Sequence, residues 1–293
     1  MIKNDMERSP IIIGGMGGSG TRVVAELCHK IGLFMGSDTN RAEDNLFFTL
    51  LFRRKTWLKK MIQRKKSFST AISVHHKMIL GQKRLTWSEL GFLCYAVLDM
   101  SLHYRDDWRW PFRRLFTYLK CPSIALESWP GWGWKEPNTL LLVQKLSDFY
   151  PNMKYIHTVR HGLDMAFSPN QRQLRAMGDL FGLPEQHPGQ ERPEIAFSYW
   201  VQSNLKAKQE GNKLGNKRYF LLNFDKLCKS PVPIVEDLVD FLEIHVEPSQ
   251  IDRLSSIPKI PKSVGRYKSR NLSAFSAGDL LVLEEFGFEI ERE

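Results

Sequence analysis

The sequence predicts an α/β fold: a central parallel sheet with helices on both faces and a helical insertion at about residues 41–130. Three observations carry that prediction. A β-branched run, Ile11, Ile12 and Ile13, passes through a glycine-crowded loop into apolar residues at helical spacing, Val23, Leu27 and Ile31. Two further runs, MKYIHTV (Met153 to Val159) and RYFLLNF (Arg218 to Phe224), have the length and apolar continuity of buried parallel strands. The stretch from about 41 to 120 has helical spacing, and no repeat or linker sets it apart. The 293 residues are therefore read as one domain with a sheet of about five strands.

The first element is the most informative. Five glycines fall in the seven positions from Gly14 to Gly20. Strand, glycine loop and helix together aim backbone N–H groups and a helix N-terminus at one point, where an anion is stabilised. Ser19 and Thr21 add hydroxyl donors. Gly15 to Gly20 has Walker A spacing, yet Thr21 follows Gly20 directly and the lysine of that motif is missing. A nucleotide hydrolase without it loses its main cation on the β- and γ-phosphates. The loop predicts a site for a phosphate-type anion.

Charge agrees with that. The net charge is +10 and the pI about 9.4, so the chain suits an anionic ligand, acceptor or surface. RRKTWLKKMIQRKK (Arg53 to Lys66) carries eight cations in fourteen residues. It is a solvated helical face or a patch for an anionic acceptor or peripheral contact with an anionic membrane surface. No recognised nucleic-acid motif accompanies it. LGFLCYAVLDMSLHY (Leu90 to Tyr104) is apolar enough to predict an interior helix. Cys28, Cys94, Cys121 and Cys228 are scattered without a CxxC pair, which suggests neither a zinc site nor a disulfide framework and suits a reducing compartment. No apolar run approaches the ~20 residues of a membrane span and no signal-peptide core precedes the first strand, so a cytoplasmic protein is expected.

Further along, SWPGWGWKEPN sets Trp132 and Trp134 between glycines and places Lys135 at a strand-to-helix junction. In open α/β sheets that edge faces the ligand. Asn138 is positioned to cap the helix that follows. Arg160 stands at the end of the 153–159 strand, with Ser168 about two turns into the next helix. It can fork onto a phosphate, or pair with Asp164 on the surface. Ser230 and Pro231 start another helix. PKIPKSVGRYKSRN, from Pro258, reads as a loop that gathers Arg266, Lys268 and Arg270.

Taken in this order, these motifs resemble those of the sulfotransferases that use 3′-phosphoadenosine 5′-phosphosulfate (PAPS), in their bacterial and tyrosylprotein branches. The resemblance runs from about Ile11 to Ser269 and is least at 41–130. GGMGGSGTR resembles the 5′-phosphosulfate loop and implies donor contacts from Gly17, Gly18, Ser19, Gly20, Thr21 and Arg22. TVRHGLDMAFS resembles the 3′-phosphate motif, with Arg160 and Ser168 on its two binding positions. SVGRYKS is similar to the loop that closes over the cofactor and implicates Arg266, Tyr267 and Lys268. WKEP resembles a Lys-Asp-Pro motif whose lysine, here Lys135, supports the bridging oxygen. LLNFDKL resembles a segment that usually carries tyrosine where Phe224 stands.

The resemblance implies a central sheet of P-loop-kinase type and sulfuryl transfer from PAPS to an acceptor hydroxyl, carbohydrate or lipid-like, without a metal. Gly18 occupies the position of the family's loop cation, and Arg22 or Lys135 takes its place. AEDN lies where the family's acceptor pocket begins, which makes Asp44 the candidate general base and Glu43 its alternate; a helix-capping acid is the other reading of Asp44. The competing functions are a nucleotide-dependent kinase and a non-catalytic binder of anionic glycans or membranes.

Overall fold

The computed structural model describes residues 9–63, 65–103 and 107–291; the stretch before residue 9, Arg64 and Tyr104 lie outside them. Four strands, β1 (Ile11–Gly15), β2 (Gly133–Lys135), β3 (Lys154–Val159) and β4 (Tyr219–Asn223), form a parallel sheet in the order β2-β1-β3-β4. The sequence patterns predict about five strands, and the described residues contain four. Alternation along each strand divides the core. Ile12 and Tyr155 face one apolar layer, while Ile11, Ile13, Ile156 and Leu222 face the other.

Helix α1 (Thr21–Ile31) lays Val24, Leu27 and Cys28 on the second layer. The insertion is helical as predicted and comprises α2 (Leu46–Phe52), α3 (Lys55–Gln63), α4 (Lys65–Ile79), α5 (Trp87–His103) and α6 (Trp110–Lys120). It packs on the first layer around Trp132 and Trp134, both fully buried. Around β3 lie α7 (Val143–Phe149), α8 (Gly162–Ala166), α9 (Arg172–Met177) and the long α10 (Pro193–Asn212). After β4 come α11 (Phe224–Lys229), α12 (Pro231–Leu242), α13 (Pro248–Ser255) and α14 (Ala277–Glu285). Among the described residues no helix is long and apolar enough to cross a membrane.

Four local expectations are corrected. The apolar α5 is not an interior helix: Trp87, Tyr95, Leu98 and Leu102 are exposed, while Leu93, Ala96, Val97 and Met100 fill the core. Asn138 is not the cap of the helix after β2. The Glu136 side chain accepts from the Asn138 N–H at 2.7 Å and caps a 3₁₀ turn, Pro137–Leu141, that precedes α7. Ser168 lies beyond the end of the short α8, because Phe167 already caps it. Ser230 stands at the start of α12 but makes no side-chain cap bond.

The basic run 53–66 is only partly a solvated face. Arg54 is buried, paired with Asp99 at 3.2 Å and stacked over Trp57 at 4.4 Å. Lys55 and Lys59 both reach Asp179. Arg54 thus holds the insertion together, while Lys55 and Lys59 tie it to Asp179 outside it.

Candidate functional site

Parallel pairing brings the carboxyl ends of β1, β2 and β3 side by side, with Ile13 opposite Lys135 and Gly15 opposite Thr158. The glycine loop therefore opens between the junctions that carry Lys135 and Arg160. Gly18 has φ +103° and Gly20 φ +95°, a backbone that only glycine adopts without strain. A Cβ on Gly20 would also lie 2.1 Å from the Phe224 ring, so the loop packs directly on Phe224. Thr21 begins α1, with Arg22 exposed behind it. Ser19 Oγ is buried without a hydrogen-bond partner. A buried unsatisfied hydroxyl costs free energy unless a ligand completes it. That hydroxyl suits an anion held by the loop.

Beside the loop is a cavity of about 300 Å³, lined on one side by Met16, Gly17, Ala42 and Asp44. Asn40, Arg53, Asn138, Asn170, Gln171 and Gln173 bring a hydrogen-bonding wall to it. Gln173 accepts from the Gly17 N–H at 3.0 Å and donates to Asn138 Oδ1 at 3.1 Å, tying loop to wall.

Under this cavity Lys135 and Asp44 meet. The Lys135 side chain is 3% exposed, and its ammonium donates to Asp44 Oδ1 and to the Ala42 carbonyl at 2.7 Å. Neither Glu136 nor Asp164 is its partner, and the ammonium is not free to swing to the loop as the sequence suggests. Asp44 is not a helix cap either. Asn45 fills that role, accepting from the Phe48 N–H at 2.8 Å. Asp44 faces the cavity at 23% exposure. Its alternate, Glu43, sits in a left-handed conformation at φ 62° and pairs with His29 at 3.4 Å.

Glu136 is a further acid at the cavity for which no sequence signal exists beyond adjacency to Lys135. Burial, reinforced by the Asp44 charge, pushes its carboxyl up to about 7 from 4.5. The folded protein thus holds this proton more tightly than the unfolded chain. Stability is unaffected below about pH 4.5, falls as pH rises towards 7, and is then lower by on the order of 3 kcal/mol. Glu136→Gln removes this titration, so its melting temperature should change less than the wild type's between about pH 5 and pH 8. Parallel slopes for the two proteins would place the titration elsewhere.

The third corner lies at the end of β3. Arg160 is 6% exposed, and its Nη2 donates to Ser263 Oγ at 2.7 Å. Trp200 fixes its carbonyl with an indole bond of 3.1 Å. The acid beside it is Asp225 at 3.9 Å, not Asp164, and Arg160 Nε makes no hydrogen bond. Asp164 instead accepts from the Gly265 N–H at 2.9 Å and anchors the 258–269 loop. That loop turns Arg266 towards the same corner, where it donates to the Ser263 carbonyl at 3.2 Å and the Phe167 carbonyl at 3.4 Å, next to Ser168. Burial and the neighbouring Arg160 charge both hold the Arg266 guanidinium below its usual pKa. Met165, one turn before Ser168, packs at Gly18 and joins this corner to the loop.

Of the remaining candidates, Tyr267 stacks on His161 with centroids 4.4 Å apart, and Lys268 pairs with Glu291 at 2.5 Å. Both line a second cavity of about 590 Å³, with Asp225, Lys226 and Lys229 on its wall. Ser263 was visible only as part of the SVGRYKS loop, and Gln173 had no signal at all. Among the described residues no cluster of three or more His, Cys, Asp or Glu side chains could hold a metal.

Comparison with known proteins bears on family and fold. The family model described as "Sulfotransferase family" matches residues 10–248. Among curated proteins no sequence matches. Of solved structures, a sulfotransferase domain from the curacin biosynthetic pathway is 15% identical, with a TM-score of 0.52 covering 97% of this chain and 99% of that one. A sulfotransferase domain from the Synechococcus PCC 7002 olefin synthase is likewise 15% identical, with a TM-score of 0.52 over 97% of each chain. At such identity the structural likeness speaks for the fold, a parallel sheet wrapped by helices. Since the family model matches residues 10–248, most of the chain and the stretch that carries the glycine loop, Lys135 and Arg160, the chain belongs to the sulfotransferase family.

Proposed function

We propose that this protein transfers a sulfuryl group from PAPS to a hydroxyl of a small-molecule or glycan acceptor. The observation that carries the reading is the convergence of Arg160 and Arg266 one strand away from a glycine loop with an unpartnered buried Ser19 hydroxyl. Two anion sites at that separation across one sheet edge suit a nucleotide phosphorylated at both its 3′ and 5′ positions. In this reading Gly17 to Arg22 hold the 5′ side, and Arg160, Ser168, Ser263 and Arg266 hold the 3′ side. Tyr267 and Lys268 close over the nucleotide.

When bound, the donor supplies the sulfuryl group and takes the electron pair of the broken S–O bond onto its 5′-phosphate. The protein's share is position and charge. Asp44, at the cavity, accepts the proton of the attacking hydroxyl. Lys135 holds Asp44 in place by donating to its Oδ1. The amide side chains of the cavity wall suit a polyhydroxylated acceptor, whose hydroxyls both donate and accept. All of chain 1–293 acts as one domain in this account, and free Cys28, Cys94, Cys121 and Cys228 suit a cytoplasmic setting.

The test is ligand-dependent melting with 3′-phosphoadenosine 5′-phosphate, AMP and ATP. A ligand at 100 times its Kd stabilises by about 2.7 kcal/mol. The 3′-phosphorylated nucleotide should raise the melting temperature by several degrees at a concentration where AMP does little. A shift largest with ATP would favour the kinase reading, and no shift with any nucleotide would leave only a binder of anionic surfaces.

A further inference from the structure

Helix α5 is apolar all round, and only half of it is covered. Its inner face packs on α2, α4 and α6. Its outer face presents Trp87, Leu90, Tyr95, Leu98 and Leu102, with Trp87 90% and Leu102 79% exposed. These positions fall within one side of the helix at 100° per residue, and Gly91 and Cys94, the other exposed residues of that stripe, are uncharged too. The stripe runs nearly the full length of the helix. Helix α6, packed against α5, repeats the pattern: Phe112, Phe116 and Leu119 share a side and are exposed, and Trp108 lies just before it.

The edges of these stripes are cationic. Arg84 precedes α5, and Arg109, Arg113 and Lys120 flank the apolar side of α6. Lys120 lies over the Phe116 ring at 4.3 Å and Arg109 over Trp108 at 5.3 Å. Each cation therefore sits beside the aromatic it borders. On the described part of α5 and α6 the acids are occupied: Glu89 by Lys77, Asp99 by Arg54, and Asp107, between the helices, by Arg113.

We infer that α5 and α6 form a docking face for an anionic lipid bilayer, entered by the apolar stripes and held by the cations at their edges. Monomeric proteins leave few large apolar side chains contiguous on the surface without a partner. Interfacial helices combine such a stripe with basic flanks, and indole and phenol rings settle at headgroup depth. Charge decides between the bilayer and a second copy of this chain. A two-fold contact sets the patch against a copy of itself, doubling the cations Arg84, Arg109 and Lys120 at one seam whose described acids are already paired. Anionic headgroups neutralise them instead, each cation near the surface strengthening binding. The basic run 53–66, much of it engaged inside the insertion, is not required.

Vesicle flotation tests this independently of the sulfuryl-transfer reading, because it uses the full chain and no nucleotide. The protein should float with vesicles rich in phosphatidylglycerol, less with pure phosphatidylcholine, and less again at high salt. Leu98→Glu with Leu102→Glu and Phe116→Glu should weaken binding by on the order of 100-fold with the nucleotide-induced melting shift unchanged. Arg84→Gln with Arg109→Gln and Lys120→Gln should weaken it on phosphatidylglycerol only. If the triple Glu variant fails to fold, Leu102→Glu alone, at a solvent-facing position, should still show a loss of roughly fivefold or more. The inference is overturned if the wild type stays unbound with both vesicles, or if the Glu variants float as well as it does. It is equally overturned if sedimentation shows a dimer in solution that Leu102→Glu converts to monomer.

Discussion

Lys135→Ala is expected to lower kcat by roughly 10²–10³, with donor affinity changed much less. The reason is local. Gly18 leaves the glycine loop without a side-chain cation, and its φ of +103° resists any residue that would supply one. In the proposed function the buried Lys135 ammonium, at the end of β2 opposite Ile13, acts through Asp44 at the cavity. It fixes the position of Asp44 by donating to its Oδ1. Lys135→Arg should recover only part of the activity, since a planar fork does not reproduce a point charge held between Ala42 and Asp44.

A purely structural ion pair predicts a different pattern, and the exposure of its two members makes the contrast sharp. Lys135 is 3% exposed and Asp44 23%. Removing Lys135 leaves an acid that water can reach, so the melting temperature should fall modestly. Asp44→Ala strands a buried ammonium with one carbonyl for company, and breaking a buried pair from that side costs about 3–5 kcal/mol. Asp44→Ala should therefore be the less stable variant, while both lose turnover. Turnover and melting on one preparation of each protein decide the matter. A Lys135→Ala enzyme that is unstable but active removes the catalytic role.

Much of the fold was legible because its signals are local. The run Ile11 to Ile13, five glycines and the spacing of Val24, Leu27 and Ile31 can form little else than strand, loop and helix. Helix α5 was misjudged for an equally physical reason. Composition reports how apolar a helix is, whereas burial depends on whether neighbours reach both faces, and α5 has neighbours on one. At the site, the types and junction positions of Lys135, Asp44 and Arg160 were readable. Their partners were not. The Lys135–Asp44 pair spans 91 residues of sequence and the Arg160–Ser263 bond 103, separations that only the crossing of β1, β2 and β3 brings together. Glu136 shows the same limit: its raised pKa comes from burial and from Asp44, neither of which belongs to its own segment.

Arg160→Ala should separate a nucleotide with a 3′-phosphate from one without it. In the free protein Arg160 is a buried cation with Ser263 as its hydrogen-bond partner and Asp225 at 3.9 Å, too long for a close pair. Burial raises the Asp225 carboxyl above the usual range, against the His161 N–H bond and the Arg160 charge that draw it down. Arg266, at the same corner, repels Arg160. In the proposed function a phosphate dianion arriving here would satisfy Arg160 Nε, relieve the repulsion and take the Ser263 and Ser168 hydroxyls into its shell. Losing one charge-assisted partner costs roughly 1.5–3 kcal/mol, about 10- to 150-fold in Kd for 3′-phosphoadenosine 5′-phosphate. The Kd for AMP should hardly move, because its phosphate belongs to the glycine loop. The variant should also melt close to the wild type, since deletion of Arg160 removes its repulsion of Arg266 along with its long contact to Asp225. Arg160→Lys, which keeps the charge without the fork, should fall between the two. Calorimetric titration of both nucleotides into all three proteins measures each of these. Equal losses for the two nucleotides would mean that Arg160 shapes the sheet edge as a whole and does not read the 3′-phosphate.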